Sequence, residues 1–348
     1  MLQLDGLRTL AVAAVMWSHW APERWFFGLP WGTGVQLFYV LSGFLITGIL
    51  IDNRPAPGAE IGQRMRVWRR FYIRRALRIF PLFYMVLVAT LLIGVPTIRA
   101  TWPWHFAYAS NFYYFSGHPL DPYSHFWSLA VEEQFYLVWP FLTLLLPRRA
   151  LPATIGLLIL IAPVSRIVAV AGGHALVGSR LLPTSCLDAL GIGALLAAAK
   201  RTPLAGGWTA KRLARACLVL GLAATVGFKL LGRRLGEPYW ADSLMHSGLV
   251  ISYGWVVLSA SSGFRGPVGA FLEHPWVLYL GRVSYGIYVF HHFMPLLTSR
   301  LPLQGLPPAA ATLVVIAANT AITLVLAAVS WRLYEKPLND LKRLVPYR

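Results

Sequence analysis

Charge is scarce in this chain. Only 13% of its residues are Asp, Glu, Lys or Arg, against about a quarter in soluble proteins. A soluble domain of 348 residues could not cover a composition that is 57% hydrophobic, so a soluble globular protein is excluded. Cysteine is almost missing. Cys186 and Cys217 both lie in apolar segments, which leaves little support for a disulfide framework or a zinc site, and no metal site is expected. No repeat, low-complexity tract or interdomain linker divides the chain. It reads as a single membrane domain over 1–340 with a short tail at 341–348 and no soluble C-terminal domain. Acids are scarcer than bases, 13 against 31, giving a net charge of +18. In a soluble protein that balance would suggest nucleic acid. Here it follows from basic residues gathered on one side of a bilayer, and no nucleic-acid partner is expected.

What the sequence has in abundance is long apolar runs. A bilayer core takes about 20 helical residues to cross. The fold class is therefore all-α and polytopic, with about ten transmembrane helices near 6–21, 34–51, 79–95, 127–146, 151–171, 182–199, 213–231, 244–262, 276–298 and 308–331. The first run is followed by further spans and reads as a retained helix rather than a cleaved signal. Lys and Arg set the orientation. With the N-terminus inside, inner segments hold 22 of them, from Arg8 to Arg348, and outer loops hold 6. Arg166, Lys229 and Arg282 fall within spans. Both termini are expected to be cytoplasmic, in a multi-pass membrane protein.

Two connections stand out. The outer stretch from Pro96 to Phe126 is rich in Trp, Tyr and His, which suits an interfacial belt or a cap over a substrate cleft. The inner stretch from Glu60 to Arg78 places Ile61, Met65, Trp68, Tyr72, Ala76 and Ile79 at helical spacing among arginines, predicting an amphipathic helix on the inner membrane surface.

Ionisable residues inside spans carry the functional signal. Glu132 and Glu133 lie in the run from Phe126 to Leu146, and His19, Asp188, His291 and His292 lie in others. An ionised acid at mid-membrane costs about 2.5 kcal/mol or more, so such residues pair, conduct or catalyse. Arg8 and His19 are eleven residues apart, almost three turns, and share a helix face about 16 Å apart. That geometry suits a long ligand with an anionic inner end and a reactive far end, the shape of coenzyme A. Arg74, Arg75 and Arg78 add guanidinium groups suited to phosphate, with Arg74 and Arg78 on one face. His19, Glu132, Glu133, Asp188, His291 and His292 are all predicted at one depth in the outer half. A histidine–carboxylate pair there would activate a hydroxyl, the imidazole taking its proton. Glu132 and Glu133 point about 100° apart, so only one is expected to face the site while the other packs or hydrogen-bonds.

The chain resembles the acyltransferase-3 family of bacterial integral membrane acyltransferases over nearly its whole length. The matching motifs are Leu4-Asp5-Gly6-Leu7-Arg8 with His19, Gly34-Val35-Gln36-Leu37-Phe38 with Leu41-Ser42-Gly43-Phe44-Leu45, and Arg74-Arg75-Ala76-Leu77-Arg78-Ile79-Phe80-Pro81. The most specific block is His125-Phe126-Trp127-Ser128-Leu129 with Glu132-Glu133-Gln134-Phe135-Tyr136. Gly281, Ser284-Tyr285, Tyr288 and His291 fit the ninth span, and Tyr334-Glu335-Lys336-Pro337 the end of the tenth. Gln36 departs from the pattern, which often has Asp there. The resemblance implies an acyl-CoA donor, with acetyl-CoA the expected one, bound from the cytoplasm. It also implies a hydroxyl acceptor on a saccharide or lipid-linked glycan. By it Arg8, Arg75 and Arg78 bind the donor, His19 is catalytic, as base or as a briefly acylated group, and the protein lies in the bacterial inner membrane. Arg74 beside the donor and Glu132 or Glu133 beside His19 are expected from helix geometry. Substrate contacts are implied for His125, Trp127, Tyr285, Tyr288 and His291. Asn111 and Asp188 also fit family positions, although hydrogen bonds within the bundle would account for them equally.

Other readings stay open: acylation of a small natural product by the same chemistry, or a proton-coupled transporter or flippase for a glycan or lipid precursor. No repeated halves favour a transporter. Ser42-Gly43, Gly191 and Gly193 read as small-residue packing positions.

Overall fold

A computed structural model describes residues 1–27, 30–56, 58–201 and 209–347. Arg348, one of the inner basic residues, lies outside them. The regular structure of the described residues is all helical, with no strand among them. In chain order the α-helices are α1 (Leu2–Trp20), α2 (Gly34–Asp52), α3 (Ile61–Ile93), α4 (Pro96–Phe106), α5 (Ser110–Phe115), α6 (Phe126–Leu145), α7 (Leu151–Ala171) and α8 (Leu187–Arg201). They continue as α9 (Ala210–Arg234), α10 (Tyr239–Ser262), α11 (Gly266–Leu272), α12 (Pro275–His291), α13 (Met294–Thr298), α14 (Pro308–Ser330) and α15 (Lys336–Asp340). A π-helical turn, Trp331–Glu335, joins the last two.

By length and composition, six helices are able to cross a membrane: α2, α3, α7, α9, α10 and α14 with its continuation. The other four expected spans miss that measure for physical reasons. α8 and α12 are only 15 and 17 residues long. α1 carries Asp5, Arg8 and His19, and α6 carries Glu132 and Glu133. These shorter or more polar helices sit against the mostly buried α2 and against one another, while α3, α7, α9 and α14 turn most of their apolar surface outward. An inner layer of polar-bearing helices is thus shielded by an outer, apolar one.

Close backbone contacts fix the inner layer. A Cβ on Gly281 of α12 would stand 1.8 Å from the Asp5 carbonyl of α1, so only glycine permits this approach. Thr9 Oγ1 donates to the Val277 carbonyl at 2.5 Å, and His19 meets His291 further along, so α1 and α12 run parallel. α2 crosses α8 at Gly43 and Gly193, where a Cβ would lie 2.0 Å from Leu190 O and 2.1 Å from Val40 O. The packing role expected of these two glycines holds. α2 also runs parallel to α6: Tyr39 donates to the Ser128 carbonyl at 3.1 Å, and Trp139 Nε1 to Thr47 at 2.8 Å. α3 lies antiparallel to α6, with Phe83 against Phe126 at one end and Arg64 donating to the Leu144 carbonyl at the other.

Three expected boundaries are corrected. The stretch from Glu60 to Arg78 is not a separate surface helix. It continues as α3 through Pro81, because Val67 and Phe71 are buried and Tyr72 donates to the Tyr136 carbonyl at 2.7 Å. The predicted span 276–298 breaks after His291, leaving His292 between α12 and α13. The span predicted from 182 begins as a 3₁₀ turn, Pro183–Cys186, before α8.

Candidate active site

The packing of α1, α2, α3, α6 and α12 leaves two cavities that share Val35 and Tyr288 in their walls. The first is narrow, with about 90 Å³ of free space, and holds Arg8, Arg75 and Arg78 together with Glu132 and Glu133. The second is wide, about 660 Å³, and holds His19, His125, His292 and Asp121. Tyr288 stands at the junction, its hydroxyl donating to the His125 carbonyl at 2.9 Å and paired with Ser128 Oγ at 2.5 Å.

In the narrow cavity the guanidinium groups come from two helices. Arg8 donates to Asp5 Oδ1 at 2.5 Å, one turn back on α1. Arg75 lies over the Tyr136 ring, 4.3 Å from its centroid. Arg74, expected here as well, points elsewhere: it donates to the Lys342 and Val345 carbonyls at 2.7 and 3.1 Å and covers the Tyr347 ring. Residues 75 and 78 share the cavity face, and the one-position rotation of 100° carries Arg74 onto the C-terminal segment. Both glutamates line this cavity. Glu132 accepts hydrogen bonds from Ser42 and Tyr136, and Glu133 has no hydrogen-bond partner among the described residues.

No carboxylate among the described residues hydrogen-bonds to His19. The predicted histidine–carboxylate pair is replaced by a histidine–histidine pair: His19 Nδ1 lies 2.9 Å from His291 Nε2. His291 Nδ1 lies 2.6 Å from the Tyr288 carbonyl, to which it can only donate. With that proton on Nδ1, a neutral His291 has a bare Nε2 that accepts from His19 Nδ1–H. The relay leaves the lone pair on His19 Nε2, and His19 presents its ring to the wide cavity. His125 and His292 complete a cluster of four imidazoles, with centroids 4.9 Å apart for His19–His292 and for His125–His292. His292 Nδ1 donates to the Pro122 carbonyl at 3.0 Å. The single depth predicted for acids and imidazoles is therefore two levels. α6 begins beside His125 at the imidazole level, and Glu132 lies seven residues, about 10 Å, further along it.

The remaining expected contacts divide. Trp127 lines the wide cavity, Tyr285 the narrow one, and Tyr285 donates to the Ile79 carbonyl at 2.7 Å. Asn111 is tied into the bundle by a paired amide contact with Gln134, at 2.9 and 3.3 Å. Asp188 lies in neither cavity. It is buried with Arg166 at 2.8 Å and also accepts from Ser247 at 2.8 Å and from its neighbour's backbone N–H. The aromatic connection from Pro96 to Phe126 supplies Leu120, Asp121, Pro122 and Ser124 to the wall of the wide cavity, in keeping with a cap rather than a belt alone. Among the described residues no group of three or more His, Cys, Asp or Glu is placed to hold a metal ion.

Sequence reasoning overlooks Ser42 and Asp121 as site residues and sees Gln36 only as a departure from the family pattern. Ser42 reads as a helix-packing residue, yet its hydroxyl faces Glu132 across the narrow cavity. Its spacing of three residues from Tyr39, close to one turn of α2, is the available signal.

A sequence profile of a family described as an acyltransferase domain matches residues 1–330. The chain is 29% identical over 373 residues to the peptidoglycan O-acetyltransferase OatA of Listeria monocytogenes, covering 96% of this chain and 55% of that protein. It is 26% identical over 359 residues to the O-acetyltransferase OatA of Staphylococcus aureus, covering 96% and 56%. The chain thus spans about half the length of these relatives. No solved structure matches it.

Proposed function

The chain belongs to the acyltransferase-3 family, and we propose that it moves an acetyl group from acetyl-CoA to a hydroxyl of a cell-envelope glycan. The observation that carries this reading is the pair of adjoining cavities, arginine-lined and imidazole-lined, set along α1 with Tyr288 between them. CoA phosphates suit the cavity of Arg8, Arg75 and Arg78, since guanidinium groups bind phosphate through charge-assisted hydrogen bonds. The extended arm of the donor would then carry the thioester past Tyr288 to His19. There His19 Nε2 takes the proton of the acceptor hydroxyl as its oxygen bonds to the acyl carbon. The carbon–sulfur bond breaks, and the proton passes from His19 to the leaving thiolate. His291 holds His19 in the tautomer this step needs.

The acetyl group and the glycan acceptor are supported by the activities in the relatives' names, O-acetyltransferases and in one case a peptidoglycan O-acetyltransferase. The family reading and six membrane-capable helices make this a multi-pass membrane protein. Ten spans with cytoplasmic termini in the inner membrane is the arrangement we favour. Supporting it are the basic bias of alternate connections and the helix directions. α1 and α12 are parallel, as are α2 and α6, while α3 opposes α6, which is what alternating spans require. The test is release of CoA from acetyl-CoA by the purified protein in lipid nanodiscs. Release that depends on an added soluble peptidoglycan disaccharide fragment supports the reading, and no release with or without the fragment rejects it.

A further inference from the structure

The wide cavity carries polar atoms that nothing in the fold satisfies. Gln36, in the first turn of α2, is 7% exposed, and its Oε1 is buried without a partner. Its amide makes no hydrogen bond among the described residues. His125 is 3% exposed. Its Nε2 lies 3.2 Å from the Val289 carbonyl and must donate to it, so its Nδ1 is a bare acceptor, again buried and unpartnered. The Nε1–H of Trp20, in the same wall, is a buried donor without a partner. Buried polar groups left unpaired work against stability, and three of the residues that carry them among the described residues line this one cavity, which makes its wall the place for a ligand.

Charge narrows the class of that ligand. The ionic side chains of this wall are already engaged. Arg180 holds Asp242 at 2.7 Å, and Asp121 accepts from the Tyr114 hydroxyl at 2.8 Å and from the Tyr123 N–H at 2.7 Å. With no free cation among the described residues of its wall, the cavity does not suit a phosphate-bearing head. We infer that Gln36 and His125 form the acceptor subsite, each accepting a hydrogen bond from a hydroxyl or amide N–H of a neutral sugar unit beside the hydroxyl that is acylated. The inference rests on the acyl-transfer reading above and assigns to Gln36 the role of an acceptor-binding residue.

The test uses the full chain in nanodiscs with acetyl-CoA and the soluble peptidoglycan disaccharide fragment. Gln36→Leu should raise the KM for the fragment about tenfold, the size of one hydrogen bond. The KM for acetyl-CoA should stay the same, and the thermal midpoint should not fall, because the substitution removes an unsatisfied acceptor. Gln36→Glu, which keeps an accepting oxygen, should stay closer to the parent KM. An unchanged fragment KM in Gln36→Leu overturns the inference while leaving acyl transfer intact. A lowered midpoint with both KM values raised assigns Gln36 to the fold and also overturns it. A parent protein that transfers nothing to the fragment overturns the functional reading, and this inference falls with it.

Discussion

His19 Nδ1 and His291 Nε2 are 2.9 Å apart, on two helices held parallel by the close approach of Gly281 to the Asp5 carbonyl. The proton between them belongs to His19, because the Tyr288 carbonyl already claims the Nδ1–H of His291. A carboxylate beside His19 would stabilise an imidazolium. A second imidazole instead fixes the tautomer and leaves a neutral base facing the cavity.

His291 is accordingly a positioning residue. His291→Ala removes the acceptor for His19 Nδ1–H and should lower acetyl transfer about 10- to 100-fold, the value of one buried hydrogen bond. His291→Gln, whose amide oxygen can accept the same proton, should recover part of that loss. Steady-state rates with acetyl-CoA at saturation distinguish the two. Equal rates for the Ala and Gln variants would place the effect in packing.

Donor binding should separate neighbouring arginines. The double variant Arg75→Ala/Arg78→Ala should weaken CoA binding by about 1.5–3 kcal/mol for each guanidinium–phosphate hydrogen bond it removes. Arg74→Ala should leave CoA affinity near the parent value, since Arg74 holds the Lys342 and Val345 carbonyls. Isothermal titration with CoA reads both, and comparable losses in the two variants would contradict the cavity assignment.

The Arg166–Asp188 pair should matter to the fold and not to the chemistry. Removing one partner leaves the other charge buried, so Asp188→Ala should cost about 3–5 kcal/mol of stability. Replacing both with apolar residues of similar volume should restore much of it. Thermal unfolding in detergent measures the loss, and the folded fraction of the double variant should keep the parent turnover number.

How much of this is legible in the sequence depends on whether a relationship lies within one helix. Arg8 and His19 share α1, so their separation and common face follow from helix geometry alone, and both line the cavities. Contacts between helices are harder. Depth counted in turns from the span ends is coarse, which is why spacing alone puts Glu132 at the level of His19. α6 starts at Phe126, within one residue of expectation, with His125 at the imidazole level and Glu132 about 10 Å past it. Asp188 reads as a lone acid in a span because Arg166, its partner, belongs to α7 and no sequence spacing links them. Arg74 and Arg75 differ by one step around a helix whose face is chosen by Phe71 and Tyr72 packing on α6. The aromatic connection keeps two meanings until its place in the wall of the wide cavity is known.

The base assignment is tested most directly by acetyl transfer in His19→Gln. Glutamine is similar in size and can hydrogen-bond, but its amide cannot take a proton at neutral pH. With the protein purified in nanodiscs and the disaccharide fragment as acceptor, transfer should fall by about 10²–10⁴, the contribution of a positioned general base. CoA affinity should be retained, because Arg8, Arg75 and Arg78 lie in the other cavity. A His19→Gln protein that transfers acetyl at close to the parent rate would contradict the account.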